Sequence, residues 1–110
     1  MNGNLGKAMT VAATNIVVYT VPVTGVNFAT FTIAMVNQGP LEAMVRVGLG
    51  TGAAPTPADM IEFDSIIPAS GGVFERTCVI ASPGEKVFIY CDRATVSVRV
   101  MGLEDLIVID

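Results

Sequence analysis

The stretch Thr95-Val96-Ser97-Val98-Arg99-Val100 alternates without a break. Successive side chains of an extended strand point to opposite faces, so the three valines share one face and Thr, Ser and Arg the other. That is the pattern of a half-buried antiparallel strand. Working outward, Phe28 through Val36 repeats the pattern, with Phe31, Ile33 and Met35 on one face and Thr30 and Thr32 on the other. Met44 through Leu49 does the same, placing Val45, Val47 and Leu49 inward. Breakers separate these runs: Pro22 to Asn27, Gln38-Gly39-Pro40, Thr51 to Pro57, Pro68 to Gly72, Ser82 to Glu85, and Asp92 to Ala94. Short strands at such spacing predict an all-β fold, a single antiparallel β-sandwich or jelly-roll-like domain of about seven or eight strands over residues 1–110. Strands are expected near 8–13, 15–21, 28–37, 43–50, 60–66, 73–81, 86–92 and 95–103. Polar, Gly-rich residues 1–7 read as a loose N-terminal arm. The apolar end, 103–110, reads as a C-terminal strand or arm that must find a sheet edge.

Ser82-Pro83-Gly84-Glu85 is the strongest local signal, because proline then glycine fits the two central positions of a type II turn. Read as a hairpin, it sets Ala81 opposite Lys86 and Cys78 opposite Ile89. Cys91 then stands one diagonal step from Cys78, about 7–8 Å away and beyond ordinary disulfide reach. Two reduced, packed cysteines are expected. Pro57-Ala58-Asp59-Met60, preceded by Thr56, predicts a single helical turn.

Composition bounds the function. Apolar residues make up 52% of the 110 and charged residues only 15%, with a mean hydropathy of +0.64. Too few charges remain to coat a monomer, so part of the outer surface is expected to be buried against protein. A membrane is not expected as partner: no apolar run approaches the ~20 residues of a spanning helix. The aromatic girdles of a lipid-facing barrel are also missing, with no Trp and two Tyr. Met1-Asn2-Gly3-Asn4 lacks the basic and apolar regions of a secretion signal, so synthesis and assembly in the cytoplasm are expected. Net charge is −4 and the six basic residues are scattered, so nucleic acid is not expected either.

No histidine is present, which removes the usual general base and the commonest metal ligand. Asp59, Glu62 and Asp64 cluster in sequence, with Glu62 and Asp64 on one strand face. That could suit a hard cation, but no calcium-loop spacing accompanies them, and a solvated face is the expectation. Glu104 and Asp105 read the same way. Gly48-Leu49-Gly50-Thr51-Gly52 lacks the Lys and the following helix of a phosphate loop. Cys78 and Cys91 lack the electropositive setting of reactive thiols. Tyr90 beside Asp92 is the nearest thing to a shallow binding feature. The chain is therefore expected not to be an enzyme, with no catalytic residue, no metal ligand and no cofactor.

One series of short motifs is familiar in its order. Ile61-Glu62-Phe63-Asp64-Ser65-Ile66-Ile67-Pro68-Ala69 leads to Gly72-Val73-Phe74-Glu75-Arg76-Thr77, then Pro83-Gly84-Glu85-Lys86-Val87, and closes on Val96-Ser97-Val98-Arg99-Val100-Met101-Gly102-Leu103-Glu104. The series resembles small β-sandwich virion proteins of tailed bacteriophages, of the capsid decoration (cement) type. The resemblance implies a structural subunit of the virion that self-associates, commonly as a homotrimer, and contacts the major capsid protein or other virion proteins. A tail, neck or fibre-base component, or a carbohydrate- or receptor-binding β-sandwich module, are the alternative expectations. Contact elements are expected in the arm 1–10, the loop 51–60 and the tail 103–110.

Overall fold

The computed structural model describes residues 2–108. Eight strands form: β1 (Asn2–Met9), β2 (Thr14–Thr20), β3 (Val26–Asn37), β4 (Ala43–Gly50), β5 (Met60–Ile67), β6 (Gly72–Ala81), β7 (Lys86–Cys91) and β8 (Val96–Leu106), with one 3₁₀ turn at Pro57–Asp59. They make two four-stranded antiparallel sheets, ordered β1-β8-β3-β6 and β2-β7-β4-β5. The pairings nest: β4 with β5, β3 with β6, β2 with β7, β1 with β8. The chain is one long hairpin whose tip is the β4–β5 connection. Rolling that hairpin up brings β3 beside β8 and β4 beside β7, which closes the two sheets. This is the jelly-roll arrangement.

The inward faces are those the alternation predicts. Phe31, Ile33 and Met35 of β3 are buried, as are Val45 and Val47 of β4 and Val96, Val98 and Val100 of β8. With Val87, Ile89 and Cys91 of β7 they form one buried apolar cluster drawn from both sheets. A fully buried valine or isoleucine contributes about 1.5–3 kcal/mol, so this layer is the main source of stability.

Two expectations are corrected, and the expected C-terminal strand is found. Residues 2–7 are not a loose arm: they belong to β1, which pairs along its length with β8 from Asn2 opposite Leu103 to Met9 opposite Ser97. The tail is strand through Leu106, paired with β3, and Ile107 N–H donates to Gly25 O at 3.0 Å; residues 109–110 lie outside the described residues. Finally, Ser82–Glu85 does turn as expected, with Glu85 N–H donating to Ser82 O at 3.0 Å and Gly84 at φ +87°. Yet β6 and β7 do not pair. The turn carries the chain from one sheet to the other, and its free backbone groups bond to Val21 instead, through Gly84 N–H to Val21 O and Val21 N–H to Glu85 O, each at 2.9 Å.

The crossovers 10–13, 38–42, 68–71 and 92–95 gather at one end of the sandwich. Two buried polar side chains pin them. Thr10 Oγ1 donates to Arg93 O at 2.7 Å and accepts from Val96 N–H at 3.3 Å. Asn37, wholly buried, donates to Leu41 O at 2.8 Å and Ile67 O at 3.2 Å, and accepts from Gly39 N–H at 3.1 Å and the Thr95 hydroxyl at 3.0 Å. The opposite end carries the segment 21–25, the turn 82–85, the long β4–β5 loop and the end of β8.

Candidate functional site

The acidic cluster does not assemble. Val45 opposes Ser65 and Val47 opposes Glu62, so Phe63 and Asp64 together oppose Arg46, a β-bulge with Asp64 at φ +56°. The extra residue flips the parity, and Glu62 and Asp64 do not share a face. Glu62 accepts from Arg76 Nη1 at 2.7 Å and from Ser65 Oγ at 2.9 Å. Asp64 turns outward and accepts from Arg46 Nε at 2.6 Å. Asp59 closes the 3₁₀ turn by accepting from Thr56 N–H at 2.8 Å. Glu104 accepts from Tyr19, and Asp105 accepts from Asn27 Nδ2 at 2.9 Å. Among the described residues no three Cys, Asp or Glu side chains converge on one point.

The bulge does build something the spacing concealed. Arg46 lies 4.2 Å from the Phe63 ring centroid and 4.9 Å from that of Tyr90. Arg46 and Phe63 border a cleft of about 540 Å³ on the outer face of the second sheet, lined also by Asn15, Pro55, Thr56 and Met60. Tyr90 is thus engaged with Arg46, while Asp92 accepts from Met44 N–H at 2.9 Å; the two form no shared site. The glycine run also has a packing role. A Cβ on Gly48 would stand 3.3 Å from Pro55, and one on Gly50 would stand 2.5 Å from Asp59. The long loop folds back over this face. Phe88, the neighbour of Gly48 in register, is buried there, outside the main core.

Both cysteines are free and lie in different sheets. Cys91 is buried, and burial pushes its thiol pKa up, away from the reactive thiolate. Cys78 is exposed on a bulge of β6 at φ +58°.

Tyr19 is the other buried group with chemistry. It packs edge-on against Phe31 at 5.8 Å and its hydroxyl donates to Glu104 Oε2 at 2.5 Å. Burial, reinforced by that carboxylate, raises its pKa far above the ordinary tyrosine value near 10. A raised folded-state pKa means the native state holds its proton longer than the unfolded chain. This contribution to stability is therefore complete below about pH 10 and is lost as pH rises beyond it. Tyr19→Phe is expected to cost about 1 kcal/mol at neutral pH and to flatten the alkaline fall in stability above pH 10. Urea titrations of both proteins across that range measure it, and parallel alkaline curves would refute it.

Among the described residues, two exposed apolar surfaces bear on the proposed function. The first is the tip, where Val23, Leu106 and Val108 are 74, 61 and 85% exposed. Their flanking backbone is anchored: Leu106 pairs with Val26, Ile107 N–H bonds to Gly25 O, and Val21 is tied to the turn at Gly84. The tail was expected as a contact element; Val23, inside a turn segment, was not, and its only signal is a large apolar residue between Pro22 and Gly25. The second surface is the outer face of the β1-β8-β3-β6 sheet, which shows Met9, Val36, Val73, Ile80, Met101 and Leu103. Comparison of the chain with protein-family models, curated proteins and solved structures finds no match.

Proposed function

We propose that this chain is a capsid decoration protein of a tailed bacteriophage, a non-catalytic virion subunit that cements the head by protein–protein contacts. The observation that carries the reading is the apolar tip. Val23, Leu106 and Val108 face solvent on segments anchored by hydrogen bonds at Val21 and Ile107, in a chain with only 15% charged residues. An exposed apolar knob on a rigid frame is suited to seating in a pocket of a larger assembly, since little ordering entropy opposes its burial. The jelly-roll order and the motif series between Ile61 and Glu104 support the same reading.

The test is electron microscopy of intact particles that carry the chain, alongside particles made without it. Expected are copies on the outer head surface, seated by the tip, and heads that open at lower temperature when the chain is omitted. Val23→Asp with Leu106→Asp should abolish occupancy while leaving the fold unchanged by circular dichroism. Density at the tail, neck or fibre base instead would overturn the head assignment.

The cleft at Arg46 and Phe63 favours a second reading, a receptor- or carbohydrate-binding module. A glycan array answers it: a specific hit lost in Arg46→Ala would support that function in place of the first.

A further inference from the structure

The register of the first sheet makes its outer face self-complementary. Reading across from β1 through β8 and β3 to β6, one row is Lys7, Arg99, Ala34, Glu75 and the next is Met9, Ser97, Val36, Val73. On the other side, Met101 stands beside Thr32, and Leu103 lies between Asn2 and Thr30, with Ile80 beyond. Two regularities run through these rows. The outward residues of β8 include the long side chains Arg99, Met101 and Leu103, whereas their β3 neighbours Ala34, Thr32 and Thr30 are short. Charge is also divided between the edges, with Lys7 on β1 and Glu75 on β6. The short β3 side chains leave a groove of about 560 Å³ lined by Met9, Ala34, Val36 and Met101.

We propose that this face binds a second copy of the chain, related by a two-fold axis that runs along the strands between β8 and β3. That rotation lays β8 of each copy over β3 of the other, and β1 over β6. Arg99, Met101 and Leu103 then enter the groove above Ala34, Thr32 and Thr30. Lys7 of each copy meets Glu75 of the other, twice per pair, as an isologous interface requires. Within one chain, Lys7, Arg99 and Glu75 have no ion-pair partner among the described residues. Lys7 and Glu75 are three strand spacings apart, about 14 Å, too far for direct contact. Sheets pack face to face about 10 Å apart with strands within about 30°. Four strands by about eight residues bury roughly 500 Å² per copy, about 1,000 Å² in all, the lower bound of a specific interface. The unit this face builds is a pair and not the trimer that the resemblance implies. The inference concerns the purified chain and holds whether or not the chain decorates a head.

Sedimentation equilibrium over a wide concentration range tests it. A monomer–dimer equilibrium is expected. Ala34→Arg, which fills the groove and sets Arg against Arg99 of the other copy, should remove the dimer while leaving the melting temperature unchanged at concentrations where the parent is monomeric. Lys7→Glu and Glu75→Lys should each weaken pairing by about tenfold or more, because each sets like charges together twice. The decisive arm is the mixture. In a heterodimer of one Lys7→Glu copy and one Glu75→Lys copy both contacts have opposite charges again, so mixing the two weakened proteins should restore pairing. The double variant should pair with itself. A chain that is monomeric throughout, a trimer indifferent to Ala34→Arg, or single variants that do not rescue each other would overturn the proposal.

Discussion

Asn37→Ala is expected to lose about 4 kcal/mol of folding stability, more than any surface substitution in the molecule. The carboxamide uses its donor twice and its acceptor twice, on Leu41 O, Ile67 O, Gly39 N–H and the Thr95 hydroxyl. These four groups belong to the β3–β4 crossover, the end of β5 and the β7–β8 crossover. Alanine leaves them facing a cavity no other side chain can fill, and a buried group without a partner costs about 1–3 kcal/mol. Leu41 lies near solvent and recovers some of its loss from water, which keeps the sum below the simple total. Asn37→Asp separates the two halves of the network. It keeps the acceptor and turns the donor into a carboxylate oxygen aimed at two carbonyls. Its stability should be low at neutral pH and recover in acid, where the protonated carboxyl can donate again. Urea denaturation followed by circular dichroism measures both. An alanine variant within 1 kcal/mol of the parent would show that the crossovers are held by packing alone.

Gly102→Ala is expected to cost about 3 kcal/mol, against the usual direction for this exchange. Replacing glycine by alanine where the backbone permits commonly stabilises by about 0.4–1 kcal/mol, by restricting the unfolded chain. Here the obstacle is space. A Cβ on Gly102 would lie 2.1 Å from Thr30 O and 2.6 Å from Phe31 Cα. Both are backbone atoms of β3, the neighbour of β8 at the middle of its sheet, so relief requires breaking ladder hydrogen bonds rather than rotating a side chain. Gly52→Ala is the control. Its Cβ meets nothing closer than Ala54 O at 3.3 Å, and the change should be nearly neutral. Equal melting temperatures for the two variants would refute the steric account.

How far the fold was legible depends on what each residue pattern encodes. Val96, Val98 and Val100 declare a face because strand parity is local, and all three are buried as the alternation requires. The β1 strand was placed late, at 8–13, because Asn2-Gly3-Asn4-Leu5-Gly6 carries no alternation; only its pairing with β8 makes it a strand. Pro83-Gly84 specifies a turn, but two residues carry no information on whether the next strand pairs with the last or enters the other sheet. The shared face of Glu62 and Asp64 failed for a similar reason: one bulge residue at positive φ inverts everything after it. The proposed interaction surfaces are the least legible part. The low charge raises the expectation of a buried outer surface, yet Ala34, Val36 and Val73 look like ordinary strand residues until the register sets them side by side on an outer face. Asn37 was invisible for the opposite reason, a polar residue at a strand end that looks solvent-facing.

The nesting of β1 against β8 also bears on how the chain comes into being. β8 is an inner strand of its sheet, flanked by β1 on one side and β3 on the other. During synthesis β1 emerges long before its partner β8, and β3 keeps an unpaired edge until β8 arrives. Only the β4–β5 pair closes a short loop; each later pairing encloses the one before and spans more chain. Such non-local topologies fold in milliseconds to seconds. Until β8 arrives the first sheet is incomplete, with an open apolar seam between β1 and β3. β8 is the latch that closes it.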